Sequence, residues 1–442
     1  MPPDLVIDPH VDSIVMPENL RIGMMVAQER DKCRRLGIPC AYTDFAFGQS
    51  PFPVPRPLQA ALAKNANQGH YSVSEGIPEL REAIAGFNSR HFGLDVDPER
   101  VVVGTGTKGL MFTLFTMING HVIIPSPSWV GYFPQLKLLG KHYHIIYTKA
   151  VDDFRLQAPD LEELLLKLAH EKQQHLLILN NPHNPTGILY RKEELEVIAD
   201  VCKRYNTFVL ADEIYALSSY DFENFTSMGL IYPEATFILN GLSKDRSAGG
   251  YRLGACILPE QESEKLKNDF DKIAATVYTN VATPIQYAAR VAYEPNDEIE
   301  EYFISTRNIH RMVGHQMSRQ FNDIEGIKPT VPEGTFYFYA DFNELSDDLV
   351  RNGVVNSNEL AHSLLSHPHH MATITGDSLM LRPNDYGARI SFVDYDGSNA
   401  LEVYKCNPPK TESDEALFVE EIAPSMDRGV QALKRWVEGM QG

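Results

Sequence analysis

The stretch VVVGTGTKGL, residues 101–110, places three β-branched residues ahead of three glycines at G-x-G-x-x-G spacing and then continues into apolar residues. That order reads as a strand turning sharply into a helix, and the free backbone amides at a helix start form a site for an anion. A dinucleotide would need an acidic residue roughly 20 positions further on to hold its ribose hydroxyl. Between Arg100 and Asp152 there is no Asp or Glu. The turn therefore reads as a single-phosphate site rather than a nicotinamide site, with a plain tight turn as the alternative.

Outward from this stretch, five more apolar runs follow as far as residue 260: HVIIPSP from 121, HLLILNNP from 175, FVLADEIY from 208, TFILNGLSK from 236 and GACILP from 254. They are apolar throughout rather than alternating, as strands covered on both faces are. Between them lie amphipathic segments rich in helix formers, such as DLEELLLKLAHEKQQ and RKEELEVIADVCKRYN. The pattern predicts an α/β fold whose large domain has three layers around a mostly parallel sheet. Upstream, the four prolines of GQSPFPVPRP (48–57) predict an extended connector, and SEGIPELREAIAGFNSRH predicts a helix from Pro78.

After about residue 290 the pattern changes. A long charged helix is predicted around EPNDEIEEYFISTRNIHRMVGHQM, then strands in TFYFYADF and ARISFVDY, then a final helix in EEIAPSMDRGVQALKRWVEGM. These describe a smaller α+β domain. The expected division is 1–60 as an N-terminal segment with part of the small domain, 61–300 as the large cofactor-binding domain and 301–442 as the C-terminal small domain. The polar, proline-bearing stretch 398–416 reads as an exposed loop or insertion.

With 59 acidic against 40 basic residues the net charge is -19, which disfavours nucleic acid and anionic membrane surfaces as partners and favours a small molecule. Five scattered cysteines without a C-x-x-C pair signal neither a disulfide framework nor a zinc site. The first twenty residues lack a basic start followed by an apolar block, so a cytoplasmic protein without a membrane anchor is expected. The histidines of HSLLSHPHH (His362, His367, His369, His370) read as a solvated loop, and no metal is expected.

In open parallel sheets, ligands bind beyond the carboxyl ends of the strands. The residues following each run are Gly106-Thr107-Lys108, then Pro127-Ser128-Trp129, then NNPHNPTG with Asn184, then Asp212 and Tyr215, then Ser243-Lys244. Two Asn-Pro steps force a sharply turned loop. In SKDRSAGGYRLG, Lys244 stands beside a serine, and Arg252 follows eight positions later across a glycine pair.

Taken in order, GQSPFPVP, YSVSEGIPELREAIA, GTGTKGL, SPSWVGY, NNPHNPTG, ADEIY, LSKDRSAGGYRLG, PEGTFYFY and ARISF resemble the class I/II aminotransferase family of fold-type I pyridoxal-phosphate enzymes. The resemblance implies that Lys244 holds the cofactor aldehyde as a Schiff base and then moves the substrate α-proton. It implies that Asp212 faces the pyridine nitrogen and keeps the ring an electron sink. Tyr215 and Asn184 match the donors to the ring oxygen, and Trp129 matches the ring-stacking aromatic. The backbone of Gly106, Thr107 and Lys108 with Ser243 and Arg252 matches the phosphate grip. Tyr71 matches a tyrosine that reaches the neighbouring subunit's phosphate, which implies a homodimer. Arg389 matches the clamp on the substrate α-carboxylate, and the Gly48 amide a contact to the same group.

Two features depart from the family. Ser50-Pro51-Phe52 stands where many relatives have Pro-Asp-Phe, and residues 394–416 intervene before the last helix. Transamination between an L-α-amino acid and a 2-oxo acid by a two-stage exchange is the implied activity. The alternative is a lyase or synthase on the same cofactor, of aminocyclopropane-carboxylate synthase or C-S lyase type, which Ser243-Lys244-Asp245 also resembles. A regulator that borrowed the fold would need a DNA-binding module, and the roughly 40 residues before Gly48 are too few and not basic enough for one.

Overall fold

Strands with no polar face must be buried between two layers, and the chain meets this requirement with one large sheet. The structure, a computed structural model, describes residues 6–14, 18–38, 40–171, 173–366 and 368–441, and His367 lies outside them. Along the chain, β1 (Thr43–Asp44) precedes β2 (Val101–Gly104), β3 (Gly120–Ser126), β4 (Tyr143–Tyr147), β5 (Gln174–Asn180), β6 (Thr207–Asp212), β7 (Thr236–Gly241) and β8 (Gly254–Ile257). A second group follows: β9 (Lys328–Pro329), β10 (Tyr337–Asp341), β11 (Met371–Ala372), β12 (Ile374–Thr375) and β13 (Gly387–Ser391).

The large sheet runs β2-β8-β7-β6-β5-β3-β4. From β7 to β4 all neighbours are parallel, whereas β8 is antiparallel to both β7 and β2. Every residue of β2, β6 and β7 is buried. Helices Gly106–Met117, Ala158–Leu168 and Lys192–Arg204 are among those that cover it. The register sets Asn180 of β5 beside Asp212 of β6, so two polar residues share the carboxyl rim.

A smaller antiparallel sheet runs β12-β13-β10-β9, and β1 pairs in parallel with β11. The N-terminal segment is thereby joined to the C-terminal part of the chain. Helix Asp297–Asn322 buries its apolar stripe, including Ile309, Val313 and Phe321, against this part. As expected from the prolines, the chain from Phe45 to Pro55 is free of helix, and helix Arg56–Asn65 follows it.

Two expectations are corrected, and one strand escapes the sequence reading. The stretch 398–416 is not a loop: helices Gly397–Cys406 and Glu412–Ile422 occupy most of it. Asp396 accepts from Ser398 N and Asn399 N to start the first, and Thr411 with Asp414 forms a capping box for the second. Only one side of each packs inward, through Ala400, Leu401, Phe418 and Val419, so the sequence stays polar enough to read as a loop. The final helix is two, broken between Ile422 and Pro424, because proline lacks the N–H needed to continue. Finally, β4 gave no apolar run: it is an edge strand with a single buried residue, Ile146.

Candidate active site

Residues from five strand ends, from the segment 47–49 and from β10 and β13 line one cavity of about 380 Å³. Of the residues singled out in the sequence, Gly48, Thr107, Lys108, Trp129, Asn184, Asp212, Tyr215, Ser243, Lys244, Arg252 and Arg389 all line it. Gly106 stands immediately behind, at the first position of helix Gly106–Met117. Tyr71 does not reach the cavity and is 86% exposed.

At the deep end, burial pushes the Asp212 carboxyl up to about 6. Tyr132 Oη donates to its Oδ2 at 2.6 Å and Ile214 N to its Oδ1 at 3.4 Å. Asn180 Nδ2 ties down the Asp212 carbonyl at 2.7 Å. Behind it, Glu213 Oε1 accepts from Ser227 Oγ and Met228 N, both at 2.9 Å, and burial raises that carboxyl to about 8. Glu213 turns away from the cavity and fastens the start of helix Met228–Ile231.

Lys244 Nζ donates to the Gly48 carbonyl at 2.9 Å and lies 5.4 Å and 5.3 Å from the ring centres of Tyr215 and Phe336. The Gly48 carbonyl also accepts from Tyr337 Oη at 3.1 Å, and Tyr215 Oη donates to Tyr337 Oη at 3.1 Å. A side chain at position 48 would put its Cβ 1.8 Å from Tyr337 Oη, so glycine is required there. Gly48 thus presents its carbonyl to Lys244, while its amide is the group the resemblance matches to the substrate carboxylate.

Arg389, on β13 and 3% exposed, donates through Nη2 to the Ala46 carbonyl and through Nη1 to Asn184 Oδ1 at 3.4 Å. Its guanidinium stacks 4.5 Å from the Tyr337 ring centre. Nε has no hydrogen-bond partner among the described residues. The Asn184 loop is rigid: Asn180 Oδ1 accepts from Asn184 N at 2.7 Å, and Gly187 N closes onto the His183 carbonyl at 2.7 Å.

At the other end no side chain caps helix Gly106–Met117, so its first amides are open. Gly106 has φ 78°, and a Cβ there would stand 2.6 Å from Arg252 Nη2. Glycine therefore permits the arginine to approach the helix start. Arg252 donates to the Gly249 and Thr105 carbonyls at 2.7 and 3.4 Å. Lys108 Nζ lies 5.1 Å from the Trp129 ring centre, and burial, then Arg252 and Lys244, lower its pKa.

Four basic side chains against one acid line the cavity. A phosphate dianion at the open amides and Arg252, an aldehyde at Lys244 and a basic ring nitrogen at Asp212 would satisfy this donor set. The residues present fit pyridoxal phosphate. Sequence reasoning missed Tyr132 and Tyr337; the latter stands with Thr335 and Tyr339 at period-two spacing in TFYFYADF, a pattern that marks one face of a strand.

The cavity and the sheet define a fold-type I transferase. The family model described as aminotransferase class I and II matches residues 41–396. An aspartate aminotransferase of a Bacillus species is 31% identical over 74% of this chain and 82% of its own length. An asparagine–oxo-acid transaminase of Streptococcus mutans is 28% identical over 83% of this chain and 88% of its own. A Thermus thermophilus aspartate aminotransferase solved with maleate superposes with a TM-score of 0.77 at 22% identity, over 97% of this chain and 100% of the other. The chain belongs to the class I and II aminotransferase family and is a pyridoxal-phosphate-dependent transaminase. Among the described residues no helix is long and apolar enough to cross a membrane, and no group of three or more His, Cys, Asp or Glu side chains could hold a metal.

Proposed function

We propose that this transaminase uses an acidic amino acid, aspartate first, as amino donor and a 2-oxo acid as acceptor. The observation that carries the reading is the surplus of positive charge in the cavity of a chain whose net charge is -19. Arg252, Ser243 and the amides of Gly106, Thr107 and Lys108 hold the cofactor phosphate, and Trp129 covers the ring. Asp212 faces the ring nitrogen, and Tyr215 and Asn184 face the ring oxygen. Arg389, already oriented and with Nε unspent, takes the substrate α-carboxylate. The Lys108 ammonium is left for a second substrate anion. The named activity of the aspartate aminotransferases among the relatives supports the same choice.

When bound, pyridoxal phosphate supplies an electron sink for the charge left on the substrate Cα. Lys244 would hold the cofactor through Nζ, and the same amine stands to take the proton from the substrate Cα. Arg389 and Gly48 fix the substrate so that this C–H bond faces Nζ. Aspartate with 2-oxoglutarate is expected to turn over continuously, with kcat/KM at least about 30-fold above that of leucine, the value of one buried charge pair. Aspartate alone should stop after one amino transfer per site. Faster turnover of leucine would overturn the donor assignment, and continued product release without an oxo acid would restore the lyase reading.

The reading includes a homodimer, in which Tyr71 of each copy reaches the other's phosphate; an aromatic ring standing 86% in solvent supports it. Sedimentation equilibrium is expected to give twice the chain mass, and Tyr71→Phe to weaken cofactor retention in equilibrium dialysis. A fully active monomer would exclude it. Residues 1–60 with 301–442 are read as one smaller body against 61–300, supported by the β1–β11 pairing; limited proteolysis that cuts first within 61–300 would count against this. A cytoplasmic location completes the reading, and recovery of the activity outside the soluble cell fraction would remove it.

A further inference from the structure

Beside the cavity, three hydroxyls stand in line. Ser50 Oγ lies 2.5 Å from Ser247 Oγ, Ser247 Oγ lies 2.6 Å from Tyr302 Oη, and Tyr302 Oη donates to the Pro53 carbonyl at 3.0 Å. A phenol has one proton, and Pro53 receives it, so Tyr302 accepts from Ser247 and Ser247 accepts from Ser50. Each hydroxyl donates once. The line begins and ends on the same connector, between Ser50 and Pro53.

Ser247 holds its place in a left-handed conformation, φ 52°, that side-chain-bearing residues seldom adopt. Its N–H donates to the Lys244 carbonyl at 3.3 Å. Arg246 next to it is wedged between Phe87, Tyr293 and Phe303, with ring centres 4.5, 4.5 and 5.0 Å away. The serine is therefore fixed from the Lys244 side. On the other side, the segment entering the connector lies along β13: Ser391 N donates to the Phe45 carbonyl at 3.0 Å and Ser391 Oγ to the Phe47 carbonyl at 3.2 Å. That segment carries Gly48, whose carbonyl holds Lys244 Nζ.

We propose that Ser247 is a positioning residue: through Ser50 and Tyr302 it clasps the connector to the Lys244 loop, and so sets the distance between the Gly48 segment with Arg389 and the reacting amine. Ser50, one of the departures from the family motif, is half of this clasp. The inference rests on the reading that Gly48 and Arg389 face the substrate. It assigns to the strained backbone of Ser247 a task that glycine, the residue best suited to that conformation, could not perform.

The test is Ser247→Gly in the holoenzyme, which keeps the left-handed backbone and removes the hydroxymethyl group that makes the clasp. KM for both amino donor and oxo acceptor is expected to rise about five- to tenfold, the worth of one or two hydrogen bonds, with kcat changed less than about twofold. The visible absorbance of the bound cofactor and its affinity should not change, and Tm should hold or rise as strain is relieved. Ser50→Ala and Tyr302→Phe should raise KM likewise, and Ser247→Gly with Tyr302→Phe should add nothing beyond either alone. A fall in Tm with KM unmoved, or additive effects in the double variant, would show a merely structural serine. If Ser247→Gly leaves KM unchanged while Lys244→Ala is inactive, only the clasp fails; an active Lys244→Ala would bring down the reading beneath it.

Discussion

Lys244→Ala is expected to lower transamination by at least about 10⁴-fold and to abolish the visible absorbance that develops when the protein is loaded with pyridoxal phosphate. On the proposed reading two losses combine: the covalent anchor, and the amine that the Gly48 carbonyl holds at 2.9 Å in the cavity that Asp212 and Arg389 also line. A second amine lines the same cavity, Lys108, and it provides the control. It lies by the Trp129 ring at 5.1 Å and faces the positive charge of Arg252, at the phosphate end. Lys108→Ala should therefore keep the covalent absorbance. If absorbance survives in Lys244→Ala and disappears in Lys108→Ala, the two lysines have been assigned the wrong way round.

The second large effect is at Asp212. Asp212→Asn should reduce kcat by about 10³-fold, because an amide provides no counter-charge for a protonated ring nitrogen. The same substitution should stabilise the protein without cofactor. Burial raises the Asp212 pKa from 3.8 to about 6, so the folded state binds more protons than the unfolded one across that interval. Stability from this group therefore falls as pH rises from about 4 to 6, by up to about 3 kcal/mol, and stays low above it. Thermal unfolding of the apoprotein should show Asp212→Asn above the unsubstituted protein at pH 8 and equal to it near pH 4. Glu213, raised to about 8, contributes a loss of the same sign over a higher interval, but equally in both proteins. Loading with cofactor should reverse the order at pH 8 if, as proposed, the ring nitrogen pairs with the aspartate. An apoprotein in which the asparagine is less stable at pH 8 would mean that Asp212 already has a cationic partner.

These carboxyls show how the electrostatics arise. Neither Asp212 nor Glu213 has a basic residue in its immediate sequence, and each is carried into the interior by the apolar strand FVLAD that ends there. For Asp212 the result is a buried acid on the cavity wall, and for Glu213 a carboxyl that fastens the start of a short helix. The desolvation cost is retained because folding the strand gains more than it loses.

Most strands of the large sheet and the polar residues at their carboxyl ends are legible in the sequence, because an apolar run, a glycine turn or an Asn-Pro step acts within a few residues; the order of the strands in the sheet is not. For that reason Lys244, Asp212 and Asn184 stand out at strand ends and Arg252 across a glycine pair, Arg389 is marked only by the family resemblance, and all five line one cavity. Tertiary structure alone decided the rest. The edge strand β4, with one buried residue, and the helices Gly397–Cys406 and Glu412–Ile422, each packed on one side, give weak local patterns whose meaning depends on what lies against them. The Gly48 carbonyl on Lys244 and the Ser50–Ser247–Tyr302 line join residues tens to hundreds of positions apart. A hydrogen bond requires two groups at about 3 Å, and that separation exists only after β13, the long helix and the connector have been packed together.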